Sequence, residues 1–122
     1  MAGGGHGVAI VPWYATLFRA DKFEIALAEI APVALRYGAT EYRAYRWRDD
    51  RYRFTQFSSF EREMDWERYW YGPEFVAWRA DYSSWYQVPV VPAWSDLIVV
   101  GGLDPIAADG SDRLFESSPG SG

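Results

Sequence analysis

A chain of 122 residues is the length of one domain, and its 49% hydrophobic and 24% charged residues give a globular rather than a disordered balance. A net charge of −5 offers no overall basic field to draw in phosphates, so nucleic acid is excluded as the expected partner. The absence of cysteine excludes disulfides and thiolate metal sites, and the single histidine, His6, cannot supply a histidine pair within one chain.

No apolar run approaches the ~20 residues that span a bilayer. The N-terminus lacks a basic region followed by an apolar stretch, so a soluble, cytoplasmic protein is expected with no membrane partner. Aromatic residues make up 19% of the chain. Each ring can bury on the order of 150–250 Å², which suits either a densely filled core or a ring-lined pocket.

Residues 1–7 are small and glycine-rich, and are expected to be a flexible lead-in. Val8–Arg19 is rich in β-branched and aromatic residues and predicts a strand, with Pro12 facing outward or at a bulge. Asp21 is a candidate N-cap for a helix over Lys22–Tyr37. There Phe23, Ala26, Leu27, Ile30, Ala34 and Tyr37 recur at helical spacing. Pro32 should kink or divide that helix, and Gly38 should stop it.

Glu41–Arg48 and Arg51–Phe60 predict a hairpin about Asp49-Asp50, with Tyr52, Phe54, Gln56, Ser58 and Phe60 on one face of its second strand. Glu61–Tyr71 predicts a helix that ends at Gly72 and resumes at Pro73 to run to about Tyr82. A loop holding Pro89 and Pro92 leads to a last strand, Asp96–Gly101. Residues 104–122 are acidic and small and predict a flexible tail. The domain is therefore residues 8–103.

The order strand, helix, strand, strand, helix, strand predicts an α+β, ferredoxin-like βαββαβ fold with a four-stranded antiparallel sheet. Two helices cover one face of such a sheet. Yet Leu97, Ile98, Val99 and Val100 are apolar on both faces of the last strand. The first strand likewise carries Ile10, Tyr14 and Phe18 on one side and Val11, Trp13 and Leu17 on the other. An apolar surface of that size needs cover, and a second copy of the chain in a two-fold pair supplies it. A fold-back of the tail or of the Trp85–Trp94 loop is the alternative.

The segments Asp50-Arg51-Tyr52-Arg53-Phe54, Phe57-Ser58-Ser59-Phe60-Glu61, Tyr69 and Gly72-Pro73-Glu74-Phe75 together resemble the central signature of the antibiotic-biosynthesis monooxygenase superfamily. Ala31-Pro32 in the first helix also suits it. The resemblance covers roughly Val8 to Gly102 and implies a dimeric α/β barrel. One branch of that superfamily oxidises polycyclic aromatic phenols with molecular oxygen and neither metal nor flavin, so no cofactor is expected.

By the spacing of that branch, its site roles fall on Gln56 and Arg79, as catalytic groups, and on Phe60 and Trp66 as aromatic walls. This chain departs from the pattern: Phe60 stands for a tryptophan, Trp66 stands for a tyrosine and removes a phenolic hydroxyl, and there is no asparagine. A haem-degrading branch needs a histidine where Arg79 stands, and His6 is far from that position.

From the residues themselves, Arg79 is either an anion clamp or a solvated helix charge, since arginine can hold a phenolate or carboxylate but cannot act as a base. Gln56 either anchors a carbonyl or water or satisfies backbone groups. Helical spacing lets Trp66, Tyr69, Trp70 and Phe75 face the sheet and wall a flat cavity, so Trp70 and Phe75 join Phe60 and Trp66 as expected substrate-binding residues. Some of these rings could serve a dimer instead. The hairpin arginines Arg43, Arg46, Arg48, Arg51 and Arg53 sit among Glu41, Asp49 and Asp50 and predict solvated cross-strand pairing.

Two functions follow. One is a monooxygenase-like protein binding a flat aromatic or hydrophobic ligand between sheet and helices, with cofactor-free oxidation as its reaction. The other is a non-catalytic dimeric structural or protein-interaction domain with a filled aromatic core.

Overall fold

Ala9, Val11 and Trp13 alternate with Ile10, Pro12 and Tyr14, and this period of two decides which side of the first strand turns inward. In the computed structural model, which describes residues 6–103, these residues form β1 (Gly7–Tyr14). Its odd positions are buried, whereas Pro12 and Tyr14 are exposed. The outward position expected of Pro12 is observed. The strand is shorter than the predicted Val8–Arg19. After Tyr14 the pairing shrinks to an isolated bridge between Ala15 and Tyr86 and one bond from the Ala15 N–H to the Tyr52 carbonyl, and Phe18 adopts a positive φ of 67° in the turn that follows. Leu17 and Phe18 therefore lie exposed beyond the strand.

Helix α1 (Ala20–Ile30) buries Phe23, Ala26, Leu27 and Ile30 on one stripe, the arrangement that their spacing predicts. Its N-cap is Arg19 rather than Asp21. Asp21 instead sits in the first turn, where a negative charge suits the helix dipole. Pro32 cannot supply an N–H to an α-helical ladder, and from Ala31 to Tyr37 the chain tightens into a 3₁₀ segment. Gly38 ends it at φ 101°, a left-handed conformation that glycine adopts without steric cost. Its N–H closes the turn on the carbonyls of Ala34 and Leu35.

Strands β2 (Ala39–Arg46) and β3 (Arg53–Phe60) follow. Their connection spans Trp47–Tyr52, wider than a tight Asp49-Asp50 turn. It is organised by Asp50, whose carboxylate accepts from the Tyr52 backbone N–H and the Tyr14 hydroxyl. Phe54, Gln56, Ser58 and Phe60 of β3 are all buried, as the alternation requires. Helices α2 (Glu63–Trp70) and α3 (Pro73–Asp81) are separated at Gly72. A Cβ there would lie 2.6 Å from the Tyr37 hydroxyl and 2.7 Å from the Arg68 carbonyl, so the junction has room only for glycine.

The last strand, β4, is Ala93–Asp96 rather than Asp96–Gly101. In its antiparallel register Asp96 stands opposite Gly7, the first residue of β1, so the pairing is nearly spent where the apolar run Leu97–Val100 begins. One more backbone bond, from the Leu97 N–H to the His6 carbonyl at 2.9 Å, ends it.

The sheet order is β2-β3-β1-β4, with antiparallel pairing throughout. With the helices on one face this is the α+β ferredoxin-like arrangement, and β4 lies at the edge beside β1 as expected. The core is the layer between: Trp13 from the sheet meets Phe23 of α1 at 5.6 Å and Trp78 of α3 at 5.4 Å, and Tyr86 of the following loop at 5.1 Å. Burying one large ring of this kind is worth about 1.5–3 kcal/mol. The opposite face carries Ile10, Pro12, Tyr14, Tyr45 and Phe57, all half-buried or exposed.

The hairpin arginines divide differently from the expected cross-strand pairing. Arg43 pairs with Glu41 on its own strand. Arg46 turns toward α1, where it meets Asp21 at 2.9 Å and Glu24 at 2.8 Å. Arg53 lies on the Trp47 ring, 3.9 Å from its centroid.

Among the described residues no helix is long and apolar enough to cross a membrane. The tail expected over residues 104–122 and most of the N-terminal lead-in lie outside the described residues.

Candidate functional site

The side chains predicted to share a site come from three elements. Gln56 and Phe60 project from the inner face of β3, two residues either side of Ser58. Trp66 and Trp70 lie one helical turn apart on α2, and Phe75 and Arg79 are one turn apart on α3. Because i and i+4 positions share a helix face, each helix delivers its pair to the same side.

The four predicted aromatic walls do come together, and Tyr69 is the ring that joins them. It packs against Phe60, Trp66 and Phe75 with centroids 6.3, 6.0 and 4.7 Å away. Trp70 completes the set at 5.4 Å from Trp66 and 4.9 Å from Phe75. The rings contact one another directly. The four grooves described elsewhere on the chain, of about 330 to 570 Å³, are lined by neither Gln56 nor Arg79.

Gln56 is fully buried and its amide is engaged at both ends. Its Oε1 accepts the Trp13 indole N–H at 3.0 Å, and its Nε2 donates to the Tyr69 hydroxyl at 3.3 Å. That hydroxyl donates in turn to the Ile30 carbonyl at 2.6 Å, where α1 gives way to the 3₁₀ segment. Burial pushes the Tyr69 phenol well above its ordinary pKa, against the opposing pull of the Gln56 amide and the Arg79 charge. Tyr69 is therefore a neutral hydroxyl that both donates and accepts.

Arg79 is only partly exposed. Its guanidinium lies over Trp70, 3.9 Å from the ring centroid, and 5.0 Å from that of Phe75. Such stacking is worth about 0.5–2 kcal/mol. Among the described residues Arg79 makes no ion pair, and its Nη1 is buried with no hydrogen-bond partner. Burial lowers its pKa, opposed only by the Tyr86, Tyr71 and Tyr69 hydroxyls. A guanidinium nevertheless stays charged in a protein, so Arg79 is a half-buried cation with no anionic partner among the described residues. The Ser58 hydroxyl is a second buried polar group without a partner among the described residues.

Gln56 and Arg79 do not touch. Tyr69 and Phe75 lie between them, so the two polar ends approach the aromatic cluster from the sheet and from α3 respectively. Trp13 and Ser58 were not foreseen as site residues, and Tyr69 was foreseen only as an aromatic wall, not as the hydrogen-bonding partner of Gln56. Tyr69 matters most, because it supplies a phenolic hydroxyl that Trp66 does not. Its place in the aromatic run of α2, three residues after Trp66, was the available signal. Among the described residues no three His, Asp or Glu side chains gather closely enough to hold a metal ion.

No family model matches the chain, and no curated protein is similar enough in sequence to match it. Solved structures do match. A Nitrosomonas europaea protein provisionally assigned as an antibiotic biosynthesis monooxygenase superposes with a TM-score of 0.67 at 20% identity, over 84% of this chain and 94% of that one. SnoaB, a cofactor-independent oxygenase from Streptomyces nogalater, superposes with a TM-score of 0.68 at 12% identity, over 79% of this chain and 96% of that one.

The fold is that of the antibiotic-biosynthesis monooxygenases.

A second structure of this kind, from Bordetella bronchiseptica, covers 78% of this chain and 99% of itself with a TM-score of 0.68 at 18% identity. The likeness spans whole domains on the other side. The monooxygenase-like fold thus accounts for nearly all of the described chain, with the extended segment after β4 at its end. At these identities the likeness establishes architecture, and the chemistry has to be argued from the side chains.

Proposed function

We propose that this chain is a monooxygenase-like small-molecule protein, working as a soluble, cytoplasmic homodimer of one domain over residues 8–103. It takes a flat aromatic or hydrophobic ligand between the sheet and helices α2 and α3. Phe60, Trp66, Trp70 and Phe75 hold the ligand's faces, and Arg79 and Gln56 act on its polar edge. The reaction class suggested by SnoaB's description is oxidation by molecular oxygen without a cofactor.

One observation carries this reading: a partly buried guanidinium, stacked on two rings of the predicted site, has no anionic partner among the described residues. Buried charges are normally paired. A phenolate or carboxylate on a flat ligand would supply the missing partner, and a charge-assisted hydrogen bond there is worth about 1.5–3 kcal/mol. Arg79 would stabilise the anionic form of a phenol, the form from which electrons pass to oxygen. Tyr69, neutral and hydrogen-bonded to Gln56, positions that amide. Trp70 is half-buried at the rim, so its displacement together with Arg79 opens the way in.

Native mass spectrometry of the protein from its own host tests the proposal by weighing subunits and any retained molecule together. The expected result is a dimer carrying a small aromatic compound that Arg79→Ala and Trp66→Ala lose or weaken. Unchanged retention in both variants would remove the site assignment.

A second reading, a non-catalytic dimeric domain with a filled core, is favoured by the direct ring contacts and by the engagement of both ends of the Gln56 amide. It predicts two chains and no retained molecule.

The two-chain part of either reading is supported by the bare face of the sheet. Tyr45 and Phe57 meet there at 5.8 Å, with Ile10 and Tyr14 beside them on β1, and none of these is covered by a helix.

A further inference from the structure

A glutamine amide has an accepting end and a donating end, and half a turn about its last bond exchanges them. Its hydrogen-bond partners therefore decide which end faces the helices. In the pairing of β1 with β3, Gln56 stands opposite Val11, which makes the inward-facing Trp13 its diagonal neighbour. An indole nitrogen only donates, so the atom 3.0 Å from Trp13 Nε1 has to be the amide oxygen. The Tyr69 hydroxyl agrees: it gives its hydrogen to the Ile30 carbonyl at 2.6 Å and accepts from Nε2 at 3.3 Å. A hydroxyl is able to exchange those roles, and the indole is not. Nor is the indole free to turn away, because its ring touches Phe23, Trp70, Phe75, Trp78 and Tyr86 with centroids 5.1 to 6.3 Å apart.

We propose that Trp13 is a positioning residue that locks the Gln56 amide with its nitrogen toward the helices, so that the candidate site recognises acceptor oxygens at both polar ends of its ligand. This rests on the ligand reading above and adds what the ligand carries. Nε2 has two hydrogens and makes one hydrogen bond among the described residues, to Tyr69. Arg79 Nη1 makes none, and neither does the hydroxyl of Ser58, the next inward position on β3, which is able to donate. The amide oxygen is already taken by Trp13. A fused-ring molecule with an anion at one edge and a ketone at the other meets donors at both.

The chain has no asparagine and only two glutamines, Gln56 and the exposed Gln87, so just two side-chain amide pairs appear in its nitrogen-proton NMR spectrum. The slowly exchanging pair is that of Gln56. In the natural chain its NOE cross-peaks should be stronger to the Tyr69 ring than to the Trp13 indole N–H. The reverse order would turn the amide round and overturn the proposal without any ligand.

The second measurement is calorimetric titration with a tetralone carboxylate and the matching tetralin carboxylate, which differ only in C=O against CH2 at the edge away from the carboxylate. The natural chain should bind the ketone about 10-fold more tightly, the gain expected of one hydrogen bond. In Trp13→Phe that ratio should fall several-fold, whereas in Tyr69→Phe, which keeps the indole, it should persist. A purely structural role for Trp13 would weaken both compounds alike and leave the ratio unchanged, which counts against positioning. Trp13 lies deep in the core, so if Trp13→Phe fails to fold, the NOE order and the natural chain's ratio decide. Equal affinity of the natural chain for both compounds would end the donor preference and leave the ligand reading standing. Binding of neither would remove both.

Discussion

The indole N–H of Trp13 donates to Oε1 of Gln56 at 3.0 Å, across the two central strands of the sheet. Both residues are fully shielded from solvent, so neither group has water to fall back on. This bond, and the one from Gln56 to Tyr69, tie the sheet to α2 at the centre of the predicted site.

Replacing Gln56 with leucine should therefore destabilise the fold even though it adds apolar surface. The Trp13 N–H would be left buried without an acceptor, a cost of about 1–3 kcal/mol. In a domain of this size that corresponds to a fall in Tm of roughly 4–8 °C per kcal/mol. Thermal and urea unfolding check it. An unchanged midpoint would mean that the amide holds nothing together.

Two glycines should respond differently to alanine. At Gly38 the nearest atom to a new Cβ is Asp65 Oδ2 at 3.6 Å, an ordinary contact, so Gly38→Ala suffers only from its φ of 101°. That strain is about 1–2 kcal/mol. At Gly72 a Cβ would press on the Tyr37 hydroxyl and the Arg68 carbonyl, one of which is backbone and cannot move alone. Gly72→Ala should therefore lose more stability than Gly38→Ala in denaturant titrations, and equal losses would contradict the close approach of Tyr37 to the α2–α3 junction.

The carboxylate of Glu74 accepts from the Tyr37 hydroxyl, and this bond is the main cause of its lowered pKa, with its own backbone N–H and Arg36 adding to it. A carboxylate held below its ordinary value stabilises the fold above the ordinary carboxylate range, and loses that contribution as pH falls through the lowered value. Tyr37→Phe should raise the Glu74 titration midpoint by NMR and flatten the acid limb of the stability profile near it. The same midpoint in both proteins would show that the hydroxyl does not set it.

Much of this architecture is legible in the sequence because it rests on local rules. The alternation in β3, the break at Pro32 and the stop at Gly38 each follow from one residue's geometry, and each is found where it was expected. The last strand was misplaced by its own composition. Leu97–Val100 is the most strand-like run near the C-terminus, but strand formation needs a partner, and in register β1 begins opposite Asp96. The start of α1 was misread for a related reason: Asp21 is an acceptable cap by type, yet Arg46 draws its carboxylate into an ion pair.

In the candidate site the aromatic walls were readable from helical spacing. The engagement of Gln56 was not, because its partners lie 43 and 13 residues away. No pattern in the chain announced that Trp13 would point at it.

The proposed role of Arg79 is to meet an anion on an aromatic ligand. The direct measurement is calorimetric titration of the natural chain and of Arg79→Met with a fused-ring phenol, at a pH where the phenol is ionised. Methionine keeps the apolar stem and leaves no charge to bury, so the variant should fold at least as stably as the natural chain. Saturable binding to the natural chain is expected to weaken at least 10-fold in the variant, the loss of one charge-assisted hydrogen bond. Equal affinity in the two proteins, or no binding to either across a panel of such phenols, would contradict it.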